Sequence, residues 1–145
     1  MNKREGTMKD KYIFPAIFEP AEKEGYVVTF PDLPGCITEG KNLEEALYMA
    51  KEALELHIFG LEEDGEEIPE PTPPEKLNVS KGAFVVPIIA YMPPVREEMA
   101  NKSVNKTVTL PRWLSRAAEE AHINFSQVLQ QALKEKLGIK ERKNA

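Results

Sequence analysis

The side chains best suited to a chemical role alternate along a short segment near the carboxyl end of the chain. In the sequence VNKTVTL, the polar residues Asn105, Thr107 and Thr109 fall on one face of a predicted strand, because side chains alternate faces along an extended backbone. Asparagine can read adenine, and threonine offers a methyl group and a hydroxyl to base edges. A two-stranded ribbon fits the major groove of DNA, so this spacing predicts a DNA-reading face where two such strands pair.

Two predicted helices follow this segment. Pro111 suits the first turn of a helix, where a missing N–H costs nothing. Asn124, with a glutamine three residues later, forms a capping pair that opens the second helix, and Gly138 ends it. The backbone N–H groups of Phe125 and Ser126 would be free at the amino end of that helix, where they suit a phosphate of the DNA backbone.

This strand and these helices require a second copy of the chain. Fewer than about forty residues rarely bury enough apolar surface to fold alone, and a lone strand cannot satisfy its own N–H and C=O groups. We therefore predict a homodimer in which two strands pair antiparallel and four helices share a core; a tetramer stays open. Lys106 lies on the apolar side of the strand. The methylene groups of its side chain must therefore extend past the edge of the core, or its amino group must reach a phosphate. Dimerisation without DNA binding is the alternative.

Charge divides the chain in two. Residues 102–145 contain nine Lys or Arg and four Asp or Glu, a net charge of +5. Residues 1–101 contain ten Lys or Arg and twenty Asp or Glu, a net charge of −10. A basic tail favours nucleic acid as a partner, and an acidic body favours a basic protein. The acidic runs at 62–64 and 66–67 are equally consistent with an ordinary solvated surface.

The body has the pattern of a small antiparallel sheet. Residues 12–18 and 25–30 are rich in aromatic and β-branched side chains and predict a hairpin, and residues 82–92 predict a further strand. Pro15 and Pro87 favour edge or bulged positions, since proline cannot donate to a ladder.

One helix is predicted to pack on this sheet. It opens with the pair Asn42 and Glu45 and continues to about residue 62. Its apolar side chains recur at helical spacing and form a stripe, beside which His57 lies, made up of Leu43, Ala46, Leu47, Ala50, Leu54, Ile58 and Leu61. We therefore assign an α+β fold with a body domain at 9–92, a linker at 93–102 and a second domain at 103–140.

The sequence predicts no catalytic, metal or cofactor site. Metal-dependent nuclease chemistry would need several convergent carboxylates, and the body offers only Glu19 at a strand end and Asp32 in a proline-rich bend. His57 has no second ligand at metal spacing, and Cys36 has no partner base. We therefore expect a non-enzymatic protein. A single cysteine and the lack of an apolar run long enough for a bilayer favour the cytoplasm, with no membrane association.

The carboxyl-terminal segment resembles a known class of DNA-binding module. The sequence NKTVTLPRWL, followed by an alanine-rich helix and HINFSQVLQQAL, is similar to the ribbon-helix-helix repressors over about residues 103–138. That resemblance implies a dimer whose paired strands bind operator DNA. Two positions differ from the family pattern: Lys106 stands where an apolar residue is usual, and His122 stands where a left-handed glycine is common.

A second resemblance covers about residues 11–92. The sequence FPDLPGC, followed at a characteristic spacing by LEEAL, is similar to the signature region of the HicB antitoxin family. The family implies a body related to a reduced ribonuclease H fold and joined to a DNA-binding module. It also implies a partner, a small basic mRNA-cleaving toxin of the HicA type whose active site the body blocks. Repression of the antitoxin's own operon is implied as well.

The alternative function is a ribbon-helix-helix repressor whose body senses a small ligand and has no toxin partner. The neighbouring reading frame would distinguish the two, because a short basic protein with a catalytic histidine favours the toxin pair.

Overall fold

The computed structural model describes residues 8–140, which divide into two compact units, one ending at Ser103 and the other beginning at Val104. The first unit is a four-stranded antiparallel sheet with helices, which confirms the predicted small antiparallel sheet of an α+β fold. Its elements are, in order, β1 (Lys11–Pro20), β2 (Tyr26–Thr29), β3 (Ile37–Gly40), α1 (Leu43–Glu63), a 3-10 turn (Pro74–Lys76), β4 (Phe84–Tyr91) and α2 (Met92–Asn101).

The core lies between α1 and one face of the sheet. The strands lie in the order β3-β2-β1-β4, and β1 pairs antiparallel with both neighbours. Alternate residues of β1 point at α1, and every fourth residue of α1 points back at the sheet, which is the geometry that the two backbone periods impose. The buried side chains include Tyr12, Phe14, Ala16 and Phe18 of β1 and Ala46, Ala50, Leu54 and Ile58 of α1.

β1 lies inside the sheet and yet contains a proline, and the pairing of its two neighbouring strands explains why this is tolerated. Pro15 faces Pro87 across the β1–β4 pair, whereas pairing with β2 begins only at Ile17. Facing residues of an antiparallel pair either exchange two hydrogen bonds or none, so two facing prolines occupy a non-bonded pair. The missing N–H of Pro15 therefore points to a stretch where β2 is absent, and that of Pro87 points to the outer edge. Both sites are edges locally, in agreement with the prediction.

The expected linker is structured. Most of residues 93–102 lie in α2, whose Pro93 and Pro94 occupy the first turn, where no N–H is needed. The pair of prolines therefore begins a helix here. Arg96 of this helix binds Glu62 of α1, so the segment belongs to the first unit.

The second unit contains two helices, α3 (Arg112–Glu120) and α4 (Phe125–Leu137). Asn124 accepts a hydrogen bond from the N–H of Gln127, and Gly138 closes α4 at φ 69°, so both predicted caps are confirmed. His122 has φ 56°, the left-handed conformation that its position requires. The predicted strand at 104–110 is not formed in the single chain, since a strand needs a ladder partner and the described residues supply none.

Close packing of α1 on β3 depends on a glycine. A Cβ added at Gly40 would lie 2.3 Å from the backbone nitrogen of Ala46 and 2.5 Å from its Cα, so the helix would have to move. We expect Gly40→Ala to lower the free energy of unfolding of this unit by about 3 kcal/mol, measured by denaturant unfolding. Gly60→Ala is the matched control, because a Cβ there meets nothing within 4 Å. The control should raise stability by about 0.5–1 kcal/mol, and equal stabilities of the two variants would contradict the packing argument.

Candidate functional site

The residues predicted to read DNA lie in one exposed segment. Asn105, Lys106, Thr107 and Thr109 all fall in the extended stretch before α3, and all are exposed. No hydrogen bond joins this stretch to either helix among residues 104–140. The backbone groups of the segment are therefore open to a partner strand.

The other two predicted contacts, Phe125 and Ser126, begin α4. The Asn124 carboxamide accepts from the N–H of Gln127 at 3.1 Å, and the Asn124 carbonyl accepts from the N–H of Val128 at 3.1 Å. Within the described part of the chain, the N–H groups of Phe125 and Ser126 donate to no protein acceptor. This helix end therefore retains two free donors and the positive end of the helix dipole, which together suit a phosphate.

The second unit exposes its apolar side chains. Among residues 104–140 no side chain is buried, and large apolar groups stand open on all three of its segments. Val108, Trp113, Val128 and Leu133 are each more than half exposed. So many exposed large apolar groups on one small unit are unusual for a monomeric protein and indicate a surface that another molecule covers.

A polar cluster in the first unit was not predicted from the sequence. The Arg96 guanidinium donates to both carboxylate oxygens of Glu62, at 3.1 and 2.7 Å, and to Asp10 Oδ1 at 3.1 Å. It also donates to the carbonyl oxygen of Lys9. Glu62 is only 6% exposed, so the solvated surface left open for the acidic run at 62–64 does not apply to this residue. The hydrogen bonds that Arg96 donates to Glu62 hold the pKa of Arg96 above its usual value.

The carboxylates considered for a nuclease site serve other contacts. Asp32 accepts hydrogen bonds from the N–H of Thr72 at 2.9 Å and from its hydroxyl at 2.5 Å. Glu19 accepts from the Ser80 hydroxyl at 3.5 Å. Within residues 8–140, no three His, Cys, Asp or Glu side chains are grouped so as to hold a metal ion.

The lone thiol is packed in the core. Cys36 is buried and donates to the carbonyl oxygen of Ala53 at 3.6 Å. Burial raises the pKa of Cys36 to about 11, so its thiolate form is scarce at neutral pH and the side chain behaves as a small hydrophobic group. His57 is half-buried on α1, as its place beside the apolar stripe predicts. No helix in the described residues combines the length and apolar character needed to cross a bilayer.

The comparisons with known proteins point to one family. A family model described as the HicB-like antitoxin of bacterial toxin–antitoxin systems matches residues 14–133. Antitoxin HicB 1 of Photorhabdus laumondii is 47% identical over 60 residues, which make up 41% of this chain and 39% of that protein. An uncharacterized 14.9 kDa protein of Haemophilus phage HP1 is 45% identical over 64 residues, or 44% of this chain and 47% of that protein. The matched region spans less than half the length of these curated relatives.

Solved structures agree on the fold. A toxin–antitoxin complex from Streptococcus pneumoniae contains a chain that is 28% identical, with a TM-score of 0.58, over 87% of this chain and 99% of that one. The antitoxin HicB of Burkholderia pseudomallei shares the fold at 24% identity and a TM-score of 0.50, over 87% and 96% of the two chains. Because the family match extends across both structural units, this chain belongs to the HicB-like antitoxins of bacterial toxin–antitoxin systems.

Proposed function

We propose that this chain is a type II antitoxin with two tasks. The first unit binds and blocks a small basic mRNA-cleaving toxin of the HicA type. The second unit forms a ribbon-helix-helix dimer that binds operator DNA and represses the operon. The observation that carries the proposal is the antitoxin family match over residues 14–133, which includes both units.

Charge supports the toxin-binding task. Residues 1–101 carry a net charge of −10, which attracts and orients a basic protein. The solved relative from Streptococcus pneumoniae is itself part of a toxin–antitoxin complex. Blocking by occupation needs no chemistry from the antitoxin, so we propose that the chain is not an enzyme. The relation of its body to a reduced ribonuclease H fold follows from the family resemblance and is part of the same proposal.

Exposed groups support the DNA-binding task. The segment at 104–110 has open backbone donors and acceptors, and the surrounding apolar side chains lack a cover. A second copy would supply a partner strand for the segment and a cover for the apolar side chains, by pairing the two segments antiparallel and joining the four helices around one core. The paired segments then present Asn105, Thr107 and Thr109 from both chains to a major groove, while Phe125 and Ser126 bind phosphates. Lys106 adds a charge beside the ribbon.

Truncation separates the two tasks. A chain lacking residues 102–145 should still protect cells from the toxin encoded beside it but should no longer repress its promoter. Co-purification of the toxin with the full chain tests the first task directly. Loss of protection in the truncated chain, at normal protein levels, would contradict the division of labour.

A point variant tests the reading face. Asn105→Ala should relax base preference and weaken operator binding by about 1–3 kcal/mol, because an asparagine that bonds a base edge discriminates between bases. Binding to operator variants across a salt series measures both effects. Lys106→Ala is the contrast, since loss of a phosphate contact weakens all sequences alike and lowers the salt slope by about 1. Unchanged base preference in Asn105→Ala would remove this residue from the interface.

A further inference from the structure

The sheet of the first unit leaves an apolar patch uncovered on the face away from α1. Ile13 of β1 lies directly opposite Ile89 of β4, and Lys11 lies opposite Tyr91. Their neighbours along each strand point into the core, so these side chains point to the other face. Ile13 and Ile89 are each 47% exposed and Tyr91 is 52% exposed. Single exposed apolar residues are common on protein surfaces, whereas three large ones side by side at the end of a sheet indicate a contact surface.

An acidic wall stands beside this patch. Lys11, Tyr12 and Ile13 line one side of a groove of about 910 Å³, and residues 65–71 line the other. That second wall carries the exposed carboxylates Glu66, Glu67 and Glu70, interleaved with Ile68, Pro69 and Pro71. The groove therefore combines apolar contact with a concentration of negative charge.

The wall is held in place at both ends. The N–H of Glu66 donates to the carbonyl oxygen of Leu61 at 2.9 Å, and Thr72 is bound through its N–H and its hydroxyl to Asp32. The three prolines at 69, 71 and 73 stiffen the segment between and beyond these ties. A preorganised wall loses little conformational entropy when a partner binds.

The strand edge next to the patch is poorly suited to strand addition. Pro87 lacks an N–H on the outer edge of β4, and the N–H of Tyr91 donates to Glu55 Oε2 at 3.2 Å. Glu55 is itself fixed by Lys51 at 3.0 Å. A partner is therefore expected to lie on the face of the sheet and not to extend it.

We propose, on the basis of the toxin-neutralising function proposed above, that the basic toxin docks on the surface formed by Ile13, Ile89, Tyr91 and the acidic wall at 66–70. A basic protein with an apolar patch complements both parts of this surface. A second copy of this body does not, because pairing two such surfaces would bring like-charged walls together, and residues 1–101 of each copy carry a net charge of −10. The docking surface is thus selective for a partner of opposite charge.

The test measures binding of the full chain to an inactive form of the HicA-type toxin encoded beside it, with the toxin's catalytic histidine replaced by alanine. Ile13→Glu/Ile89→Glu should lower affinity about 100-fold or more, because it places charge at the apolar centre of the contact. Tyr48→Glu/Leu56→Glu is the matched control, since both residues are exposed apolar groups on α1, and it should leave affinity within about twofold.

A second pair of variants tests the acidic wall without touching apolar packing. Glu66→Lys/Glu67→Lys/Glu70→Lys should lower affinity about 10-fold or more at low salt, with a smaller loss at high salt. Glu22→Lys/Glu44→Lys/Glu52→Lys makes the same change in net charge at exposed positions elsewhere and should have a clearly smaller effect. This pair decides the question if the isoleucine variant proves unfolded by circular dichroism.

The outcomes separate the two proposals. If the unaltered chain does not bind the toxin, the proposed function fails. If it binds, but the wall variant matches its charge control and a folded isoleucine variant binds normally, the docking surface is wrong and the function stands. If Ile13→Glu/Ile89→Glu instead reduces the mass of the free antitoxin in sedimentation, the patch joins copies of this chain, which overturns the inference.

Discussion

Arg96→Ala is expected to lower the free energy of unfolding of the first unit by about 3–5 kcal/mol, because it leaves a buried carboxylate without its partner. Glu62 has a side chain only 5% exposed and receives two hydrogen bonds from this guanidinium. Arg96 also connects α2 to Asp10 and Lys9 before β1, so its loss loosens three segments. Hydrogen exchange of the β1 and α1 amides measures the effect. Fluorescence of Trp113, the only tryptophan, would report on the other unit.

Two further variants test this explanation. Arg96→Lys keeps the charge but loses the fork that binds both oxygens of Glu62, so it should recover only part of the stability. Asp10→Asn should cost about 1 kcal/mol or less, because that carboxylate is 72% exposed and screened by water. An Arg96→Ala protein within about 0.5 kcal/mol of the original would show that Glu62 finds another partner or water.

Local chemistry in the sequence predicted local structure well. Asn42 accepts a hydrogen bond from the N–H of Glu45 at 2.8 Å, and Asn124 does the same at α4, each as its capping pattern predicts. Gly138 takes the left-handed conformation expected of a helix end. Caps and turns depend on residues three or four positions apart, so their partners are visible in a short window of sequence.

Contacts between distant residues were missed. Glu62 belongs to an acidic run that could have faced a partner or solvent, yet it binds Arg96, 34 residues away, which in turn binds Asp10, 86 residues away. Charge spacing carries no information about such pairs. The same limit applies within α1, where the predicted apolar stripe included Leu43 and Leu47. Both are exposed, since the strict fourfold repeat that ends at Glu62 faces the sheet.

The carboxyl-terminal strand shows a different limit. Its alternating pattern is clear in the sequence, but the single chain does not form it. A pattern specifies which side chains share a face, whereas the backbone hydrogen bonds that define a strand must come from elsewhere. The proposed DNA-reading face therefore depends on an assembly that one chain cannot build.

Leu129→Glu/Leu133→Glu is expected to abolish that assembly and with it operator binding. Both leucines are exposed on α4 in the single chain, at 37% and 51%, and the proposed dimer would bury them in its shared core. Four carboxylates brought into one apolar interface would each lose hydration without gaining a partner. The chain should become monomeric in sedimentation, and its affinity for DNA from upstream of its own coding sequence should fall about 100-fold or more, because one strand alone cannot form the ribbon.

Gln127→Glu/Gln130→Glu adds the same charge on α4 at polar positions and should remain dimeric, which separates the burial of the leucines from net charge. Toxin binding should survive in both variants, since it belongs to the other unit. A leucine variant that stays dimeric and still binds the operator would mean that the chains join through a different surface. The paired-ribbon account of DNA recognition would then be wrong, even with the antitoxin family assignment intact.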